Sequence, residues 1–195
     1  MISSLLSRRL VKRMSALDHA RRELQVISSE VLGASKRAIF AFHREDARAA
    51  HAELADARRG LQRGWKIIDK QSRIVHEGAW RAAQEEFVEA DLLAQYLATG
   101  KIGIVKGVSE DPDIFLGGLS DLAGELVRRA VSLATRHETE TIERIFTDVR
   151  AVVGLLLEMD LTGSLRTKVD QAKQHLRKLE EIRYDTAMRR HDGHD

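Results

Sequence analysis

From Leu17 onward the apolar residues fall at Leu17, Ala20, Leu24, Ile27, Val31, Ala34, Ala38 and Ala41, in alternating steps of three and four. That spacing lines one face of an α-helix. A helix over this stretch is about 36 Å long, and a narrow apolar seam of that length must be covered by other helices. The cover can come from the same chain or from another subunit, and the pattern alone does not choose. Nothing nearby interrupts the helix, because the only proline of the chain is Pro112. Aromatic residues are 5% of the sequence, and the rest is dominated by the helix formers Ala, Leu, Arg and Glu. An all-α fold is expected.

The first helix closes near His43 to Glu45, and a second covers about Asp46 to Arg59. Gly60 and Gly64 mark breaks or close approaches, and Trp65, Ile67, Ile68 and Ile74 suggest a shorter apolar helix. Gly78 introduces a helix from Ala79 to about Thr99, closed by Gly100. Lys101 to Gly118 holds Gly103, Gly107, Pro112, Gly117 and Gly118 and reads mostly as loop; Ile102, Ile104 and Val108 are its only strand-like residues. A helix follows from about Ile114 or Leu119 to Thr135. Thr139 resembles an N-cap for a helix carrying Ile142, Ile145, Val149, Val152 and Val153. After a turn at Asp160 to Ser164, Leu165, Val169, Ala172, Leu176 and Leu179 stripe a last helix ending near Arg189. A flexible tail is expected at about 190–195. No internal repeat or linker interrupts this order. The sum is one domain over residues 1–195, a bundle of about seven helices.

A chain of 195 residues with 43% hydrophobic and 32% charged residues can bury a sizeable core. The absence of cysteine rules out disulfides, a thiolate nucleophile and cysteine-bound zinc, and suits a reducing compartment. A cytoplasmic protein is expected. The net charge of +2 is too balanced to identify a nucleic-acid binder, but its distribution is uneven. Arg8, Arg9, Lys12, Arg13, Arg21 and Arg22 load the N-terminal region, and no acid precedes Asp18. Such a segment attracts phosphate and also resembles an organellar transit peptide. The apolar pattern runs unbroken into the body, which favours a basic helix of the mature protein. Ile2 to Leu6 is too short for the core of a secretory signal. The longest apolar run, Ala151 to Leu157, is far below the roughly 20 residues of a membrane span.

Two acidic pairs carry the chemical interest. In Gln84-Glu85-Glu86-Phe87-Val88-Glu89-Ala90-Asp91, Glu86 and Glu89 are three apart and leave one helical face. In Leu119-Ser120-Asp121-Leu122-Ala123-Gly124-Glu125, Asp121 and Glu125 are four apart. Most such pairs are solvated helix faces. Here Asp121 lies between Leu119 and Leu122, and Phe87, Val88, Leu92 and Leu93 make the first segment apolar enough to be buried. A buried carboxylate needs a partner or a metal. Carboxylates on two helices can build an all-oxygen site for a hard divalent cation.

Three stretches together resemble the translin family, and in particular its translin-associated factor X (TRAX) branch. They are Ser35-Lys36-Arg37-Ala38-Ile39-Phe40-Ala41-Phe42-His43-Arg44, Glu86-Phe87-Val88-Glu89-Ala90 and Leu119-Ser120-Asp121-Leu122-Ala123-Gly124-Glu125-Leu126-Val127-Arg128. Ser164-Leu165-Arg166, Lys168, Asp170, Lys173, Lys178-Leu179-Glu180-Glu181 and Tyr184-Asp185 are similar to the last helix of the translin branch. The resemblance implies about seven helices in a closed oligomeric shell, here a homo-oligomer of roughly six or more subunits. It implies binding of single-stranded RNA, with single-stranded DNA as a second ligand, and no membrane. It also implies Mg²⁺- or Mn²⁺-dependent endoribonuclease activity. Glu86, Glu89 and Asp121 fall on the TRAX catalytic positions and Glu125 on a nearby acid, so all four are candidate metal ligands. Glu125 could instead orient the attacking water. The chain departs from the pattern in being shorter than eukaryotic TRAX and in a compressed loop from Lys101 to Gly118.

Substrate must be held by other residues. Candidates are Arg21, Arg22, Lys36, Arg37, His43 and Arg44, with His76, Trp80 and Arg81 behind them. Gly78 to Arg81 aligns loosely with the family's basic contact region. Phosphate contacts give affinity without sequence information, and Trp80 could stack a base, although a Trp at a helix start more commonly belongs to a core. The rival reading is a non-catalytic nucleic-acid-binding oligomer. A ferritin-like carboxylate bundle would use Glu-x-x-His pairs, and the chain has none. A purely structural adaptor would leave buried acids unexplained.

Overall fold

The computed structural model describes residues 2–192, with side chains for 2–188. Among these residues there are six α-helices, one 3₁₀ turn and no strand, as the all-α expectation requires. The helices are α1 Ser4–His43, α2 Ala47–Ile68, α3 Gly78–Thr99, α4 Pro112–Ala134, α5 Thr139–Leu157 and α6 Gly163–Asp192, with the 3₁₀ turn at Ser72–Ile74. The chain forms two compact units, residues 1–87 with 106–109, and residues 88–105 with 110–195. No helix among the described residues is long and apolar enough to cross a membrane.

In the first unit α1 and α2 pack antiparallel. Arg37 meets Glu53, Arg63 meets Glu30, and Phe42 meets the edge of His51 at 5.5 Å between ring centres. Ser3 caps α1 by accepting from the Leu6 N–H, and Asp46 caps α2 by accepting from the Ala49 N–H. The stripe from Leu17 to Ala38 is buried, so its cover comes from within the chain. The earlier turns of α1 leave Leu5, Leu6, Leu10, Val11 and Met14 exposed.

Two helices expected on either side of Gly60 and Gly64 are one. Both glycines lie buried inside α2. A Cβ on Gly60 would stand 2.5 Å from Val31 Cγ2, and one on Gly64 would overlap the Trp80 ring. These glycines permit close approach of neighbouring side chains, and the roughly 1 kcal/mol that each costs in helix propensity does not break the helix.

The loop is also shorter than expected. Gly100 ends α3 at φ +69°, in the left-handed conformation that favours glycine. α4 begins at Pro112, with Asp111 accepting from the Asp113 N–H, so Gly117 and Gly118 sit buried within a helix. Two contacts seat residues 106–109 on the first unit. The Trp65 indole N–H donates to the Gly107 carbonyl at 2.8 Å, and the Ser109 N–H donates to Gln84 Oε1 at 2.7 Å.

In the second unit α4, α5 and α6 pack mutually. Arg183 on α6 bonds Glu143 on α5 at 2.7 Å and lies 3.9 Å over the Phe146 ring. The Tyr96 hydroxyl on α3 donates to Asp148 on α5 at 2.7 Å. Burial first, and then that bond, push the Tyr96 phenol well above its ordinary range. Thr139 is the first residue of α5, and Glu138 precedes it with no side-chain cap. α6 runs to Asp192, beyond the expected end near Arg189; the tail from 193 lies outside the described residues.

Gly64→Ala is expected to lower the melting temperature by several degrees, since overpacking a filled interior costs about 1–3 kcal/mol. Gly78→Ala, where a Cβ meets nothing within 4 Å, should leave it unchanged or slightly raised. A melt of Gly64→Ala that coincides with wild type would contradict this account of α2.

Candidate active site

α3 is buried on nearly every side. Trp80, Ala83, Phe87, Val88, Ala90, Leu92 and Leu93 are all fully inaccessible, and a helix apolar all round belongs in an interior. Its acids are drawn in with it. Glu89 is 8% exposed and Asp91 9%, and the Glu86 side chain is 19% exposed. Lys36 Nζ on α1 stands 3.8 Å from Glu86 Oε2, which brings a candidate RNA-binding cation and a candidate ligand together. Asp91 accepts from Gln95 Nε2 at 2.8 Å. It is as buried as Glu89, and its place in the same apolar run was the available signal.

α4 presents Asp121 to α6. The Asp121 carboxylate is bonded by the Lys168 ammonium. Glu125 lies 3.7 Å from Arg128 on its own helix. Between them a Cβ on Gly124 would come within 3.0 Å of His175 Nε2, so the missing side chain admits the imidazole against α4. Lys168 and His175 are seven apart and share a face of α6. Neither was among the candidate site residues, although Lys168 belongs to the stretch similar to the last helix of the translin branch. The usable hint was position, since Lys168 follows Leu165 by three and His175 follows Ala172 by three along the buried stripe.

The nucleic-acid candidates are dispersed. Arg21 bonds Glu77 at 2.9 Å. Arg37 bonds Glu53 at 2.9 Å through two nitrogens, and that bond raises its already high pKa. Arg44 lies 5.7 Å over the exposed Phe40 ring. Arg22, Lys36 and His76 are exposed, while His43 and Arg81 are half-buried. Trp80 cannot stack a base as expected. It is fully buried, packed edge-on to Trp65 at 5.5 Å between ring centres and seated over Gly64.

The donor chemistry suits Mg²⁺ or Mn²⁺, since Glu86, Glu89, Asp121 and Glu125 offer only hard carboxylate oxygens. The arrangement is less open than the donor set. Among the described residues no three His, Asp or Glu side chains form a group that could hold a metal ion. Glu86, Asp121 and Glu125 each face a cation of the chain.

An all-helical chain with carboxylates drawn into its packed helices is the class that fold and site define. Residues 19–190 match the model of the translin family, and the chain belongs to that family. Its fold is similar to that of apo-NeC3PO, at a TM-score of 0.85 and 22% identity over 95% of this chain and 98% of that one. AfC3PO gives 0.82 and 22% identity over 94% and 97%. AfC3PO in a duplex RNA complex gives 0.77 and 22% identity over the same shares, 94% and 97%. At this identity the likeness is one of fold. No curated protein matches the sequence.

The Asp121–Lys168 pair is half-buried, with side chains 33% and 23% exposed. A double-mutant cycle of Asp121→Asn and Lys168→Met is expected to give a coupling of about 1 kcal/mol by denaturant melts. A coupling indistinguishable from zero would mean that the pair holds nothing in place.

Proposed function

We propose that this translin-family chain is a TRAX-type, metal-dependent endoribonuclease that binds and cleaves single-stranded RNA as a homo-oligomer of roughly six or more subunits. The observation that carries the reading is the presence of all four acids, two on the buried helix α3 and two on α4, where Asp121 meets α6. RNA as ligand is carried over from the structural relative solved with duplex RNA and from the family resemblance. Single strands are the preferred substrate, because the basic residues offer no element that reads a duplex groove.

Glu86, Glu89 and Asp121 are the residues that would hold Mg²⁺ or Mn²⁺, with Glu125 as a fourth ligand or as the group that orients the attacking water. The bound ion would supply neutralisation of phosphoryl charge and a water of lowered pKa. Lys36, next to Glu86, would meet the substrate phosphate and keep the acid from repelling it. Lys168 and the ion compete for Asp121.

Labelled single-stranded RNA incubated with the pure protein is expected to be cleaved with Mg²⁺ or Mn²⁺ and spared with chelator. Glu86→Gln, Glu89→Gln and Asp121→Asn should each lower cleavage by about 100-fold or more, the scale of losing a catalytic group. RNA affinity should stay near wild type and fall steeply with salt. A readout independent of activity is the melting shift on adding Mn²⁺, expected to be larger in Lys168→Met and lost in Asp121→Asn. The rival reading is a binding-only oligomer. Wild-type protein inert in both metals, with no melting shift from either, would establish that reading instead. Light scattering behind a sizing column checks the assembly, and a clean monomer at micromolar concentration would sink the shell.

A further inference from the structure

We infer that the groove between α1 and α2 is a track for the sugar–phosphate backbone of single-stranded RNA, held chiefly by Arg22, Lys66 and Lys70. The inference rests on the RNA-binding reading above and assigns that binding a surface. A cavity of about 900 Å³ lies between the N-terminal half of α1 and the C-terminal end of α2. A second, of about 510 Å³, continues along the same helix pair and shares Glu30 and Arg63 with the first. Together they follow α1 from His19 to Arg37, a path of roughly 27 Å.

Glu23 is an acid on the wall of the first cavity, and the cations along the path, which outnumber it, divide into two kinds. Arg37, Arg59 and Arg63 are engaged by Glu53, Asp56 and Glu30. Arg22, Lys66 and Lys70 line the first cavity, are exposed and make no ion pair among the described residues. Lys66 and Lys70 sit at and just past the C-terminal turn of α2, where the helix dipole favours cations without neutralising them. The floor is apolar, built by Ala20, Ile27, Ile67 and Val26, and Val26 is 60% exposed.

Unpaired cations spread over both walls fit a chain of regularly spaced phosphates better than a single anion. The groove lining contains no Phe, Tyr or Trp, and its one aromatic ring is the His19 imidazole at one end, so phosphate contacts along the groove carry most of the binding and no sequence information. An acidic protein segment is the competing occupant, but it would present carboxylates at irregular intervals to a floor that has no donor to orient them.

The test uses the full chain and a labelled single-stranded oligoribonucleotide, followed by fluorescence anisotropy at several salt concentrations. The triple variant Arg22→Ala, Lys66→Ala, Lys70→Ala is expected to bind about tenfold or more weakly. The slope of log affinity against log salt should fall by about 2, at roughly 0.7 for each phosphate no longer neutralised. The charge-preserving variant Arg22→Lys, Lys66→Arg, Lys70→Arg should keep most of the affinity, and the melting curve of the triple alanine variant should fall by no more than the small loss of two cations at the C-terminal end of α2, because none of the three is buried or ion-paired among the described residues. Wild-type protein that binds RNA, with a triple variant equal to it in affinity and slope, overturns the track while leaving RNA binding intact. Wild-type protein that binds no RNA overturns the underlying reading itself. Polyglutamate binding that the triple variant loses, with RNA affinity unchanged, gives the groove to an acidic protein and also overturns the proposal.

Discussion

The packing of Trp80 over Gly64 fixes how α3 enters the first unit. The ring occupies the space that a side chain at Gly64 would need, and Trp65 closes on its edge. That contact sets where α3 begins against α2. Trp65 in turn holds the Gly107 carbonyl, and Gln84, one turn beyond Trp80, holds the Ser109 N–H. The Trp80 indole N–H is buried with no hydrogen-bond partner among the described residues, an unsatisfied donor costing about 1–3 kcal/mol. Burial of an entire indole outweighs that cost. A tryptophan committed to this role cannot also swing out to a base.

The charges on α3 and α4 follow from the same burial. A helix inaccessible on most faces carries its carboxylates inward, where an unpartnered charge is expensive. Lys36 beside Glu86, Lys168 on Asp121 and Arg128 near Glu125 reduce that expense. Two of these three cations come from other helices, α1 and α6, so the acids also tie elements together. An amide at Asp121 therefore does more than remove a negative charge, because it also takes the carboxylate from the Lys168 ammonium. Stability and metal response must be measured together to separate the structural use of that acid from a chemical one.

The apolar periodicities were readable because burial by a neighbouring helix imposes them directly. The stripe on α1 and most of that on α6 are buried as their spacing requires. The glycines were ambiguous, because a missing side chain is equally compatible with a helix break and with close approach. Only the positions of Val31 and Trp80 decide between them. The end of the loop had a local signal in Asp111-Pro112, a capping residue followed by a proline that suits a first helical turn. The neighbouring Gly117 and Gly118 masked it. Lys168 and His175 could not be assigned from sequence, since their importance comes from the part of α4 that they face.

Coverage of the α1 stripe within the chain also changes what can hold copies together. The seam from Leu17 to Ala38 cannot serve an oligomer, because it is already buried, so an assembly must use other surface. The uncovered apolar residues of α1 all precede Leu17 except Val26 and Phe40. Those early residues are interleaved with Arg8, Arg9, Lys12 and Arg13. A second copy covering them must bring acids, or leave the cations at the rim in water with only their aliphatic stems packed. Two identical arms face to face would place like charges together and weaken their own contact. Self-association through this arm alone is disfavoured electrostatically, and added salt would ease that repulsion while it weakens any contact with RNA phosphates.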